Sequence, residues 1–218
     1  MSHYILAIDL GGTRCRAGLA SLGDPSAVKG IGEWPAPTDR TAFIAMLEAQ
    51  LEDSRATHLG VGVPGLARGT LCAWIPNLPY LDGLDLGRQF PGIQVALGND
   101  AQFALLAEVS AGAAQGMSDA ILLAIGTGIG SAVLAGGQII AGSKGGACSF
   151  GWAAADVDDP GDERNGWLER QSSGRALDQA AAGLGLRDGT ALVVAARNGD
   201  ANAIAALDPP MRALGTAL

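Results

Sequence analysis

Three short stretches of this 218-residue chain combine residue types that could do chemistry. The first is Ile8-Asp9-Leu10-Gly11-Gly12-Thr13, an aspartate and two glycines after the apolar run Tyr4–Ala7. The second is Ile125-Gly126-Thr127-Gly128, another glycine turn after an apolar run. A glycine turn lets backbone amides approach a ligand without a Cβ in the way. Several amides aimed one way make a nest for an anion. Two nests could clasp a polyphosphate, and Asp9 beside the first could hold a magnesium ion through water, because magnesium keeps much of its hydration shell. Gly-Gly is equally ordinary in hairpins, so neither turn decides the matter alone; their pairing favours phosphate. The third stretch is Gly98-Asn99-Asp100. Asp100 falls where a strand ends and a helix starts, a frequent place for ligand chemistry in α/β folds, and a carboxylate there could take a proton from a hydroxyl. Aspartate is also a preferred helix N-cap. The two roles are compatible, and the residues leave both open.

The elements that must position these groups follow from apolar periodicity. Tyr4–Ile8 reads as a buried strand, with Arg16–Ser21 as its hairpin partner and Gly11-Gly12 at the turn. Residues 39–53 read as a helix, with Asp39 and Thr41 as candidate caps and Phe43, Met46, Leu47 and Leu51 on one face. Leu59–Gly65 is an apolar strand stopped by Pro64-Gly65, and Ile93–Asp100 contains another that ends at Asp100. A helix is expected from about Ala101 to Val109. A second strand–turn–strand, Ala120–Gly137, echoes the first and suggests an internal repeat. Helices are expected at 167–183 and 189–197, with a last one starting near Pro209.

Composition bounds the function. A hydrophobic fraction of 48% supports a sizeable core, and 17% charged residues argue against disorder. The formal charge of −8 disfavours nucleic acid and anionic membrane surfaces as partners. Cys15, Cys72 and Cys148 are odd in number and widely spaced, as expected of a reduced cytoplasmic protein. No signal peptide and no membrane span is expected.

Six segments in order resemble the ROK family (repressor, open reading frame, kinase) of glucokinase-like sugar kinases. Asp9–Gly18 is similar to its first phosphate motif, DxGGTxxxxG. Gly62–Leu66 resembles the strand and turn that follow, and Pro76–Gly83 its PNLPGW segment. Asn99-Asp100 with Ala101–Glu108 resembles its Asn-Asp helix start. Gly126–Gly142 resembles its second phosphate motif and hairpin, and Leu168–Leu177 its LExxxSGxAL helix.

The resemblance covers nearly the whole chain and implies the α/β actin-like ATPase (ribonuclease H-like) fold, two lobes with a cleft between them. The lobes would be residues 1–115, with the first phosphate loop and the catalytic aspartate, and residues 116–218, with the second phosphate loop and an incomplete end. It implies ATP-dependent phosphorylation of a hexose or hexose derivative, with ATP and Mg2+ as cofactors. Asp100 would be the general base. Asn99 would hydrogen-bond the sugar, Glu169 would accept from a sugar hydroxyl, and Gly65 and Asn77 would border its pocket. Gly11, Gly12, Thr13, Thr127 and Gly128 would surround the phosphates, with Asp9 orienting magnesium. A small-molecule sugar is the expected partner, and a homodimer the expected assembly.

The chain departs from the family pattern in three places. Ser149 and Trp152 stand where the family has the Glu and His of its sugar motif; Trp152 offers a stacking face for a sugar ring, or simply packs in the core. Gly161–Glu169 aligns with the family's zinc motif but has no cysteine or histidine, and four ligands are needed for a closed zinc site. No zinc is therefore expected, and Asp156, Asp158, Asp159, Asp162 and Glu163 should form a solvated acidic loop. Finally, the family continues past a helix like Pro210–Leu218 with a strand and a glycine cluster of the adenosine pocket. That leaves two readings, a partial chain or a reduced nucleotide site. The alternative to a kinase is a sugar-binding or sensing protein of the same fold without turnover. The DNA-binding branch is not expected, because the kinase-like region starts at residue 4.

Overall fold

The computed structural model describes residues 3–218. The elements in chain order are β1 (Tyr4–Leu10), β2 (Arg14–Ser21), β3 (Asp24–Pro35), α1 (Arg40–Ser54), β4 (His58–Val63), β5 (Leu66–Arg68), β6 (Leu71–Trp74), α2 (Leu86–Gln89), β7 (Gln94–Asn99), α3 (Asp100–Ala111), β8 (Ala120–Ile125), β9 (Ile129–Ala135), β10 (Gln138–Ile139), α4 (Trp167–Ser172), α5 (Gly174–Gly183), α6 (Gly189–Arg197) and α7 (Ala201–Ala217). The chain forms two compact units: unit 1 is Met1–Ala120 with Leu134–Ala147, and unit 2 is Ile121–Val133 with Cys148–Leu218.

Unit 1 is built on a five-stranded sheet of order β3-β2-β1-β4-β7. β1, β2 and β3 form an antiparallel meander, and β4 and β7 run parallel to β1. Alternation along β1 sends Leu6, Ile8 and Leu10 to one face. Register sets Ala17 and Val61 beside Ile8, and Leu59 beside Leu6. Phe43, Leu47 and Leu51 of α1 close this core, each contributing roughly 1.5–3 kcal/mol by burial. Asp39 caps α1 by accepting from the Ala42 N–H at 2.9 Å, so the cap falls to Asp39 rather than Thr41. The opposite face is floored by small residues, because Ala7, Gly60 and Ala96 lie in one row and Asp9, Gly62 and Gly98 in the next. Space above this floor is what the site uses.

β3 is a 12-residue edge strand that the apolar pattern does not announce. Ten of its residues are exposed, and its Pro25 is tolerated there because an edge strand has an unpaired side. The Leu66–Trp74 hairpin is likewise too short to read from periodicity.

β8 and β9 belong to a three-stranded sheet of order β10-β9-β8, and a glycine turn joins them as one joins β1 to β2. The expected 167–183 helix is two helices. The chain breaks at Ser173, whose side chain caps α5 by accepting from the Ala176 N–H. The last helix begins at Ala201, not near Pro209. Asp200 caps it by accepting from the Ala203 N–H at 2.9 Å, and the alanine-rich first turns favour helix. Pro209 and Pro210 lie inside this helix, and the Pro210 carbonyl accepts a hydrogen bond from the Ser172 hydroxyl of α4 at 2.8 Å.

Candidate functional site

Unit 1 gathers Asp9, the Gly11–Thr13 turn, Gly65, Asn77, Asn99 and Asp100. Asp9 is the penultimate residue of β1, on the small-residue face, in register with Arg16 and Gly62. Its carboxylate is exposed, 3.6 Å from the Arg16 guanidinium. Next along the chain, the Gly11 N–H closes the turn on the Arg14 carbonyl at 2.8 Å. The N–H groups of Gly12 and Thr13 find no acceptor among the described residues. Neither Gly11 nor Gly12 has a positive φ. Gly12 is instead crowded by Asn77, since a Cβ there would sit 3.2 Å from the Asn77 Cβ.

β7 delivers Asn99 and Asp100 to the start of α3. The N-cap is Asn99: its Oδ1 accepts from the Gln102 N–H at 3.1 Å, and its Nδ2 donates to the Gly65 carbonyl at 3.2 Å. Asp100, the first helical residue, is thereby relieved of the capping role, although its Oδ1 accepts from the Ala101 N–H at 2.7 Å. Gly65 itself admits no Cβ, because the Trp74 carbonyl occupies that space. Asn77 is exposed, and its amide makes no hydrogen bond to the described residues.

Asp100 and Asp9 line a cavity of about 390 Å³, with Ala7, Ile8, Gly60, Gly62, Phe103 and Ala104 completing the wall. Burial, with a smaller push from the Asp9 charge, raises the Asp100 carboxyl to about 6, against the opposing pull of the Ala101 hydrogen bond. A carboxyl titrating there can hold or release a proton near neutrality.

Unit 2 gathers Thr127, Gly128 and Glu169 around the β8–β9 turn. The Gly126 N–H donates to the Gly128 carbonyl at 2.9 Å, and the Gly126 carbonyl accepts from the Gly174 N–H at 2.7 Å. Arg175 donates from Nε to the Thr127 carbonyl at 3.0 Å. Glu169 of α4, half-buried, accepts from the Ile129 N–H at 2.8 Å. The N–H groups of Thr127 and Gly128 remain without an acceptor among the described residues. The break at Ser173 makes this possible: α4 brings Glu169 and the start of α5 brings Gly174 and Arg175 to one turn.

Ser149 and Trp152 flank a single 3-10 turn, with the Trp152 N–H donating to the Ser149 carbonyl at 3.0 Å. Trp152 is 37% exposed, so it is not a core residue. Cys148 precedes them at φ 61, a left-handed conformation that a non-glycine residue rarely adopts. Buried Ser131 fixes it there. Its hydroxyl donates to the Cys148 carbonyl at 2.8 Å and accepts from the Phe150 N–H at 2.7 Å. Neither Ser131 nor Arg175 was anticipated; the only trace of Ser131 in the sequence is a polar residue on an otherwise apolar strand.

The acidic loop has an internal order. Arg170 grips Asp159 with two hydrogen bonds, at 2.6 and 3.0 Å. Asp162 accepts from the N–H groups of Arg164 and Asn165, both at 2.7 Å. Arg170 beside Asp159, and the two amides beside Asp162, hold these carboxyls below the usual range. The loop is thus stapled by an arginine rather than simply solvated. Among the described residues no group of three His, Cys, Asp or Glu side chains is arranged to hold a metal ion, and no helix is long and apolar enough to cross a membrane.

Comparison with known proteins gives these arrangements a context. The ROK family profile matches residues 5–218. The N-acetylmannosamine kinase of Shigella boydii serotype 18 is 32% identical over 193 residues, covering 82% of this chain and 64% of that protein. The chain therefore spans just under two thirds of that relative. Among solved structures, the Lmo2764 protein from Listeria monocytogenes superposes with a TM-score of 0.83 at 23% identity, covering all of this chain and 77% of that one. A ROK family glucokinase from Streptomyces griseus, in complex with glucose and AMPPNP, gives 0.75 at 24% identity, covering 100% and 78%.

Proposed function

The chain belongs to the ROK family, has its α/β actin-like ATPase fold, and from that premise we propose that it phosphorylates a hexose or hexose derivative with ATP, using Asp100 as the general base. The observation that carries the proposal is Asp100 itself. Its carboxyl lines a cavity beside Asp9 and is raised to about 6 by burial. Asn99 performs the capping that would otherwise explain an acid at this position. A general base works best with a pKa near the operating pH, and a mere binder of sugar has no use for one.

ATP would supply the phosphoryl group. Each glycine turn taken by itself suits phosphate: in unit 1 the N–H groups of Gly12 and Thr13, and in unit 2 those of Thr127 and Gly128, have no acceptor among the described residues. The exposed carboxylate of Asp9 fits a water-mediated role toward Mg2+. Asn99, Gly65, Asn77, Ser149, Trp152 and Glu169 are the groups proposed to recognise the sugar. Asp100 would take the proton of the attacked hydroxyl, and most of the acceleration would come from positioning and charge stabilisation. The N-acetylmannosamine kinase relative makes an N-acetylated amino sugar the first substrate to try.

The test is ADP release from MgATP across hexoses, amino sugars and N-acetyl sugars, with D100A alongside. We expect sugar-dependent turnover in the wild type, falling by at least about a hundredfold in D100A while sugar binding persists. Turnover that survives in D100A removes Asp100 as the base. Sugar binding without turnover in the wild type favours the sensing alternative.

A further inference from the structure

Glu169 and Gly128 are matched to one another in a way that its proposed contact with sugar does not account for. Gly128 does not have a positive φ, so its backbone conformation is open to any residue. A Cβ added there would overlap Glu169 Oε1, and its next two neighbours, at 3.2 and 3.9 Å, are also atoms of the Glu169 carboxylate. That same Oε1 accepts from the Ile129 N–H at 2.8 Å. Glycine at 128 therefore makes room for one side chain, and that side chain holds the end of the turn. Oε2 makes no hydrogen bond to the described residues.

We propose that Glu169 is a positioning residue for the nucleotide: its carboxylate, admitted by Gly128 and anchored on Ile129, holds the Gly126–Gly128 turn so that the Thr127 and Gly128 amides are presented to phosphate. The inference rests on the kinase reading and adds a second role to a residue assigned there to sugar alone.

The two residues should be coupled in a way that ordinary sites are not. The measurement is binding of AMPPNP with Mg2+ by calorimetry, without sugar, to the wild-type chain and four variants. Glu169→Ala should weaken binding about tenfold, the scale of one hydrogen bond to a charged group. Glu169→Gln keeps an acceptor oxygen for Ile129 and should bind within about threefold of wild type. Gly128→Ala should be at least as damaging as Glu169→Ala. The double variant Gly128→Ala/Glu169→Ala should bind no more weakly than Glu169→Ala, since removing the carboxylate removes the obstruction. Multiplying losses in the double variant, or unchanged affinity in Glu169→Ala, overturns the proposal. If Gly128→Ala does not fold, recovery of a cooperative melt in the double variant supports the pairing, and failure to recover opposes it. A wild-type chain that binds no nucleotide overturns the kinase reading and this proposal together, whereas binding that ignores position 169 overturns this proposal alone.

Discussion

At Asp100 the sequence leaves capping and catalysis equal, because an aspartate at a strand–helix junction satisfies both patterns. In the structure the cap falls to its neighbour: Asn99 accepts from the Gln102 N–H and also donates to the Gly65 carbonyl. Asn99→Ala should therefore cost about 1–2 kcal/mol, at the upper end for a lost cap, measured by urea denaturation. Asp100 has the opposite sign. Its folded carboxyl is raised to about 6 from the usual aspartate value near 3.8, so the folded state binds the proton more tightly than the unfolded chain. The stability this contributes is complete below about pH 4 and lost as pH rises through 6. D100N should accordingly stabilise the protein above pH 6, by up to about 3 kcal/mol at pH 7.5, with the gain gone by pH 4. Melting curves across that range check it. With Asp100 acting as the base, as proposed, activity of the wild type should fall below pH 6 as it is protonated.

Among the elements, those with strong period were legible. α1 runs within one residue of its expected bounds, because Phe43, Leu47 and Leu51 mark one helical face. β3 was not legible, because an exposed edge strand with two glycines and two prolines has no alternation to read. The α4–α5 break was hidden for a different reason. Ser173 is a cap inside a helix-favouring stretch, and its effect depends on Gly174 meeting Gly126, a contact from far along the chain. Ser173→Ala should cost about 1 kcal/mol and, if the turn holds nucleotide as proposed, should also raise the KM for ATP; stability and kinetic measurements on one preparation test both. The acidic loop likewise depends on a distant partner. Arg170→Met should lower the melting temperature at pH 7. Because the Asp159 carboxyl is held below its usual range, the stabilisation belongs to pH above that range and is lost as pH falls through its folded value. A chelator should leave the melting temperature of the wild type unchanged.

For the molecule as a whole, the doubled strand–turn–strand pattern was visible from the apolar runs and their glycines, and the family motifs in order implied the fold. The division into units follows long-range contacts that no local pattern encodes. Unit 1 takes its second segment, Leu134–Ala147, from beyond the first part of unit 2, and unit 2 resumes at Cys148. A fragment ending at Ala120 should therefore melt below one extended to Ala147, as parallel thermal scans can establish. The same interleaving fixes an order of events at the ribosome. Domains generally fold as units, the N-terminal one first, but here the first unit cannot be completed until the strand that opens the second has been made. A nascent chain that has emerged from the ribosome as far as residue 125 would hold one unfinished unit and the exposed apolar start of another, Ile121–Ile125, the moment in its synthesis when it is most in need of a chaperone.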